Sequence, residues 1–193
     1  MTQQEQRWFR LDLLCALIDQ APVRLGRTAV MKLAYLLQTV QGVPLGYDFR
    51  LHTYGPFDSD VLNDLGTAES LGAVKSEMVT FASGPGYGYE FTIAPNRDFI
   101  RQKAEGQLSA YEQAVRWALA EFGSQRAAEL ELLTTIIYAD REAAQRKAPL
   151  SVEELASKVG EVKPHFPKQY VVEKIEELSR KRLLIALAPT QQA

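Results

Sequence analysis

The sequence predicts an α+β fold that is mainly α, with a winged-helix-like N-terminal part and a helical C-terminal part that ends in a short strand. Three observations predict this class. Apolar residues recur at three- and four-residue steps through most of the chain, which is the period of amphipathic helices. An alternating run before Gly55-Pro56 predicts a strand, and two alternating arms after it predict a hairpin. The resulting order of helix, helix, strand, helix and hairpin is close to that of a winged-helix domain.

Two helices are predicted first. An apolar stripe that ends before Pro22 predicts the first helix, and it comprises Trp8, Leu11, Leu14, Cys15 and Ile18. Thr28 is the expected N-cap of the second helix, from Ala29 to about Gln41. Because this second helix is apolar on nearly every side, we expect it to be buried in the centre of its domain.

The stretch from Tyr47 to His52 alternates apolar and polar side chains and predicts a short strand. Gly55-Pro56 ends it, because proline cannot donate to a strand ladder and glycine permits a turn. Asp58 or Ser59 is then expected to cap a helix. The apolar seam of that helix comprises Val61, Leu62, Leu65, Ala68 and Leu71.

A hairpin follows, with arms Val74 to Phe81 and Gly88 to Ile93. The loop between them, SGPGYG, is rich in glycine and is expected to be mobile. These elements define a predicted winged-helix-like domain over residues 1–95.

Residues 96–193 are predicted to form a helical C-terminal region, for which a second winged-helix-like unit packed on the first is the alternative. Helical stripes recur between residues 108 and 137. Ser151 and Glu154 have the spacing of a capping box and predict a helix start there, with Gly160 closing the helix. A last helix is expected from Lys168 to about Lys181, followed by a strand through the segment LLIAL.

The charge, the cysteine content and the absence of known motifs limit the classes of function that the sequence predicts. A net charge of -2 gives no general basic excess, so DNA contact is expected only through local patches. A single cysteine, no signal-peptide pattern and no membrane-length apolar run predict a cytoplasmic protein without a membrane partner. Cys15, His52 and His165 have no metal-ligand spacing, and no nucleophile or phosphate-loop motif occurs. No metal, cofactor or catalytic residue is therefore predicted.

A DNA-binding regulator is the alternative function. Arg24, Arg27 and Lys32 lie in an acid-free stretch, and the last helix has five basic residues against three glutamates between positions 168 and 182. These glutamates would repel phosphates. The candidate nucleic-acid contacts are Arg24, Arg27, Lys32, Lys168, Lys174, Arg180 and Lys181.

Aromatic residues beside glycine and proline in loops often anchor contacts with a partner protein. The candidates are Tyr54, Gly55, Pro56, Phe57 and Tyr87, although Tyr54 and Phe57 could instead pin the corner to the central helix, an alternative that is favoured for Phe57 and left open for Tyr54.

The motifs GRTAVMKLAYLLQ and GVPLGYDFRLHTYGPFDSDVLNDL resemble those of the bacterial YwgA-like proteins and, more distantly, the SocA-like or Panacea antitoxin domain. The shared features are a K-L-x-Y helix at Lys32, a G-x-P-L link at Gly42 and the Y-G-P-aromatic turn at Tyr54. The K-P-x-F turn at Lys163 is similar to the YwgA-like end.

The resemblance implies a non-catalytic protein-interaction or regulatory module, and for the Panacea relatives it implies neutralisation of a toxin by direct contact. The expected partner is an unidentified protein, with a toxin as one candidate. An uncharacterised enzyme is the third and remotest alternative.

Overall fold

The computed structural model describes residues 1–80 and 87–188 and has an α+β fold that is mainly α. The chain divides into two compact units. The first comprises Met1–Phe49 and Phe57–Ala127, and the second comprises Arg50–Pro56 and Ala128–Ala193.

The described elements follow one another in this order: α1 (Gln3–Gln20), β1 (Leu25–Gly26), α2 (Arg27–Thr39), β2 (Arg50–His52), β3 (Gly55–Phe57), α3 (Ser59–Ser70), β4 (Val74–Thr80), β5 (Tyr87–Ile93), α4 (Arg97–Lys103), a 3-10 helix (Gln107–Tyr111), α5 (Glu112–Phe122), α6 (Ala127–Gln145), α7 (Val152–Val162) and α8 (Lys168–Arg180).

Helix α1 is more deeply buried than the predicted stripe requires. It begins at a capping box, in which Thr2 accepts from the backbone of Glu5 and the Glu5 carboxylate accepts from the backbone of Thr2. Residues 11–18 are all buried, because α1 packs against α2, α3, α4, α5 and β5. Its first turn, in contrast, is exposed.

Helix α2 is the central helix of the first unit, as its composition predicts. Residues 30–37 are all buried, and α2 packs against α1, α3, α5 and β5. The expected cap at Thr28 is wrong: the helix begins at Arg27, and its N-cap is Gly26, which has no side chain to cap it.

The predicted hairpin is present and forms part of a three-stranded antiparallel sheet in the order β1-β5-β4. Leu25 is aligned with Phe91 across β1 and β5, and Val74 with Ile93 across β4 and β5. Phe91 is buried and joins the sheet to the helical core. The loop expected to be mobile, SGPGYG, spans residues 83–88; its first four residues lie outside the described residues, and Tyr87 and Gly88 belong to β5.

The strand predicted from Tyr47 to His52 is shorter than expected, since regular pairing covers only Arg50–His52 with Gly55–Phe57. The reason lies at Tyr47, whose backbone bonds a side chain. The Gln38 amide donates to the Tyr47 carbonyl at 2.8 Å, and its oxygen accepts from the Tyr47 N–H at 2.9 Å. Asp58 caps α3, accepting from the backbone of Asp60 at 2.8 Å.

The helical region after residue 96 does not separate at the predicted boundary of residue 95. Helices α4 and α5 pack on α1, and α5 also packs on α2, so they belong to the first unit. The apolar stripe of α5 explains this, because Val115, Ala118 and Phe122 are fully buried.

In the second unit, α7 and α8 pack together. The Ser151–Glu154 capping box is confirmed at the start of α7, but Gly160 lies inside this helix, which continues to Val162. The predicted strand through LLIAL is wrong, because the segment forms a single parallel bridge between Leu150 and Leu187. The Asp140 carboxylate accepts from the N–H groups of Ile185 and Ala186, which are therefore not available for a strand ladder.

Candidate interaction sites

The Tyr54-Gly55-Pro56 corner lies against α6 within the second unit. Gly55 has φ +83°, a conformation that favours glycine. A Cβ atom at this position would lie 2.9 Å from Thr135 Oγ1 and 3.2 Å from the Glu131 carbonyl oxygen. Gly55 and Pro56 are buried. Glycine is therefore required here both by the backbone and by the close approach to the helix.

A buried lysine holds this corner in place. Lys163 Nζ donates to the Thr53 carbonyl at 2.8 Å and to Glu131 Oε2 at 3.0 Å, and its side chain is 1% exposed. The same ammonium lies 5.9 Å from the centroid of the Tyr54 ring. Sequence reasoning placed Lys163 in a turn motif but assigned it no such contact, since its partners are far away in the chain.

Tyr54 is the part of the corner that meets solvent. Its side chain is 69% exposed, whereas Gly55 and Pro56 are buried beneath it. Phe57 is half-buried and belongs to the first unit. The corner is thus a packed structural turn that presents one exposed tyrosine, and the role of Tyr54 in binding a partner stays a prediction.

The basic residues of α8 are largely paired with acids. Lys174 Nζ lies 2.7 Å from Glu129 Oε1 and 3.1 Å from Glu177 Oε2. Partial burial opposes its charge, but these hydrogen bonds outweigh it and raise the pKa of Lys174. Lys181 pairs with Glu177 at 3.3 Å, and Arg180 lies 4.0 Å from Glu176. This helix face therefore offers little net positive charge to a phosphate backbone.

The other basic residues predicted to contact DNA separate into two groups. Lys168 is exposed at the start of α8, but Lys32 is buried in α2, at 2% exposure. The ammonium of Lys32 therefore does not lie with Arg24 and Arg27 on the surface, as a phosphate contact requires.

Arg24 and Arg27 lie together in a surface groove of the first unit, with a volume of about 950 Å³. We call it the arginine groove. Its lining includes Arg24, Arg27, Arg126, Tyr87, Tyr89 and Glu90. Arg24 immediately precedes β1 and Arg27 begins α2. The beginning of β5 supplies both tyrosines, and Arg126 immediately precedes α6.

Local contacts hold two of these arginines. Arg24 Nη1 lies 2.9 Å from Glu77 Oε2, and the Arg27 guanidinium lies 4.2 Å above the centroid of the Tyr89 ring. Hydrogen bonds from Lys75 and Arg24 lower the pKa of Glu77. Within residues 1–80 and 87–188, Arg126 forms no ion pair. Within the described ranges neither Arg27 nor Arg126 is paired with an acid, so an incoming anion could bind both guanidinium groups without breaking an ion pair.

Tyr87 lies on the rim of the arginine groove and is 65% exposed. Its ring contacts Tyr89 edge-on, with centroids 6.2 Å apart. Of the residues that line the groove, the sequence singled out Arg24, Arg27 and Tyr87 as candidates for binding. It missed Arg126 and Tyr89, which belong to different elements and share no short motif with the others.

Cys15, Asp64 and Tyr47, which lie in the packed core, have raised pKa values. Burial raises the pKa of the Cys15 thiol to about 12. Burial also raises the pKa of Asp64, against the opposing effect of Arg10, whose Nε lies 2.8 Å from the carboxylate. The Tyr47 hydroxyl donates to the same carboxylate at 2.9 Å, and the pKa of Tyr47 is raised, first by burial. Neither Cys15, Asp64 nor Tyr47 lines the arginine groove.

No group of three or more histidine, cysteine or acidic side chains within residues 1–80 and 87–188 is placed to hold a metal ion. Among those same residues, no helix combines the length and apolar character needed to cross a bilayer. No family model matches the sequence, and no curated protein matches it.

Proposed function

We propose that this protein is a non-catalytic interaction module that regulates a partner protein by binding it through the first unit. The observation that carries the proposal is the arginine groove with Tyr87 on its rim. Exposed tyrosines and arginines beside a concave surface are the residue types that contribute most to protein interfaces. The resemblance to YwgA-like and Panacea proteins supports the same function, with toxin neutralisation as its specific form.

The strand order supports the winged-helix-like description of the first unit. Three helices precede the hairpin, and the short strand β1, between the first two helices, pairs with the second strand of the hairpin. The single cysteine is buried and forms no disulfide. This supports the cytoplasm as the place of action, because proteins of a reducing compartment do not depend on disulfides.

Site-specific photo-cross-linking tests the proposal. A photoreactive phenylalanine analogue placed at Tyr87 is expected to capture one protein in the native host cell, and that protein is then expected to bind the purified chain directly. The same analogue at Phe99, an aromatic residue of α4 in the same unit that is 43% exposed, serves as the matched control. Equal capture from both positions, or no direct binding by the captured protein, contradicts the proposal.

For the toxin-neutralising form, co-expression with the captured protein is informative. Growth arrest by that protein alone, relieved by the wild-type chain but not by Tyr87→Ala, is the expected outcome. If the captured protein is harmless when produced alone, the antitoxin role is rejected, whereas regulation by binding is not.

A DNA-binding regulator is the second candidate, and Arg24 and Arg27 in the arginine groove favour it. Binding to random-sequence duplex DNA should then fall steeply with salt, because released counterions drive such binding. Arg24→Glu/Arg27→Glu should abolish it. Retention of DNA binding by that variant excludes the groove as the DNA site.

A further inference from the structure

We infer that the arginine groove accepts an extended acidic segment of the partner protein, an inference that rests on the proposed function. The charged residues lining the groove are three arginines and one glutamate, so positive charge predominates. This local excess contrasts with the net charge of -2 of the whole chain. Complementary charge between a groove and its ligand favours encounter and fixes register.

The arginines are arranged to bind carboxylates. The cation–π contact with Tyr89 restrains the Arg27 guanidinium, which reduces the conformational freedom lost when its N–H groups bind. Arg126 forms no ion pair within the described ranges. A planar guanidinium donates two parallel hydrogen bonds to one carboxylate, so Arg27 and Arg126 are the expected contacts for acidic side chains.

Two glutamates distinguish a peptide from a nucleic acid as the occupant. Glu90 lines the groove, and Glu77 lies directly opposite Glu90 across the hairpin. A nucleic acid has a phosphate at every step and could not avoid this acidic position. A peptide can place a neutral residue beside Glu90 and acidic residues beside the arginines.

Tyr87 and Tyr89 specify the rest of the ligand. Both rings line the groove, and Tyr87 is mostly exposed. Tyrosine rings provide apolar contact area with a hydroxyl that can still bond water. The expected ligand is therefore an extended peptide in which acidic residues flank at least one apolar or aromatic residue.

Selection from a random library of short displayed peptides tests this inference on the full-length chain. The wild type is expected to enrich peptides that contain several Asp or Glu residues and an apolar residue. Arg27→Glu/Arg126→Glu is expected to lose those peptides. The matched control Arg101→Glu/Lys158→Glu reverses the same number of charges at exposed positions outside the groove and is expected to retain them.

The affinity of one selected peptide for the wild type and for the variant measures how much the groove arginines contribute to binding. Arg27→Glu/Arg126→Glu should weaken binding by roughly a hundredfold, because two charge-assisted contacts are lost and each is expected to contribute about tenfold at a solvent-accessible site. Salt should also weaken wild-type binding between about 0.05 M and about 0.3 M, because exposed ion pairs are screened. Replacing every Glu of the peptide by Gln and every Asp by Asn should weaken its binding to the wild type about as much as Arg27→Glu/Arg126→Glu does.

The other outcomes overturn the inference in distinguishable ways. Selected peptides without acidic residues, still lost on Tyr87→Ala, reject the acidic ligand but leave the interaction module in place. Identical peptides from the wild type, Arg27→Glu/Arg126→Glu and Tyr87→Ala reject the groove as the binding site for both proposals. Binding of a thymidine oligonucleotide that Arg27→Glu/Arg126→Glu abolishes, with no acidic peptide enriched, assigns the groove to nucleic acid.

Discussion

Replacing Gly55 by alanine tests whether the corner between β2 and β3 is packed against α6. Gly55 has φ +83°, and a left-handed conformation costs a residue with a Cβ atom about 1–2 kcal/mol. The added Cβ would also lie 2.9 Å from Thr135 Oγ1 and 3.2 Å from the Glu131 carbonyl oxygen. Thr135 cannot easily move away, because its hydroxyl donates to the same Glu131 carbonyl at 2.6 Å.

Overpacking of this kind costs a further 1–3 kcal/mol or so, which gives a total destabilisation of about 3 kcal/mol for Gly55→Ala. Gly42→Ala is the matched control. Gly42 has φ +67°, but nothing lies within 4 Å of its added Cβ. It should therefore show only the backbone cost of about 1–2 kcal/mol.

Urea unfolding followed by circular dichroism measures both free energies. Both tryptophans, Trp8 and Trp117, belong to the first unit, so tryptophan fluorescence reports on the unfolding of that unit. We expect Gly55→Ala to shift the dichroism transition more than the fluorescence transition. A cost for Gly55→Ala no greater than that of Gly42→Ala would refute the close approach of the corner to α6.

Three further predictions concern the remaining structure. Gly160→Ala should stabilise the protein by about 0.5–1 kcal/mol in thermal unfolding, because Gly160 lies inside α7 with nothing within 4 Å of an added Cβ; destabilisation would contradict this placement. Cys15, buried and with its pKa raised to about 12, should not react with a thiol reagent near pH 8 until the protein is unfolded. Ser151→Ala should cost about 1 kcal/mol at neutral pH. Hydrogen bonds from Ser151 lower the pKa of Glu154 in the folded protein. The stability that this carboxylate contributes is therefore present above the pKa of Glu154 in the unfolded chain, and it is lost as the pH falls through the lower pKa of the folded protein. Glu154→Ala removes the carboxylate that accepts from the Ser151 N–H. The difference in stability between wild type and Glu154→Ala should therefore shrink in acid, and a difference independent of pH would contradict the capping box.

The parts of the fold that the sequence predicts well are those determined by local patterns. Continuous apolar residues predict the burial of α2, and the spacing of Ser151 and Glu154 predicts the start of α7. The same S/T-x-x-E spacing at Thr2 and Glu5 could have predicted the start of α1. Only nearby residues are needed for each of these features.

The features that sequence reasoning missed depend on distant contacts. Lys163 bonds the Thr53 carbonyl across 110 positions of the chain, and no periodicity records that pairing. Gln38 prevents the predicted strand at Tyr47 by bonding its backbone. Likewise, Arg126 reaches the arginine groove because α5 packs on α1 and α2, which a local pattern cannot show.

Hydrogen–deuterium exchange of the full-length chain, with and without its captured partner, tests the central claim most directly. The claim is that the partner binds in the arginine groove. The predicted result is slower exchange on binding in the amides of residues 24–29, 87–90 and 124–127, with α8 unchanged. Protection confined to α8, or no protection in those three segments, would contradict the account.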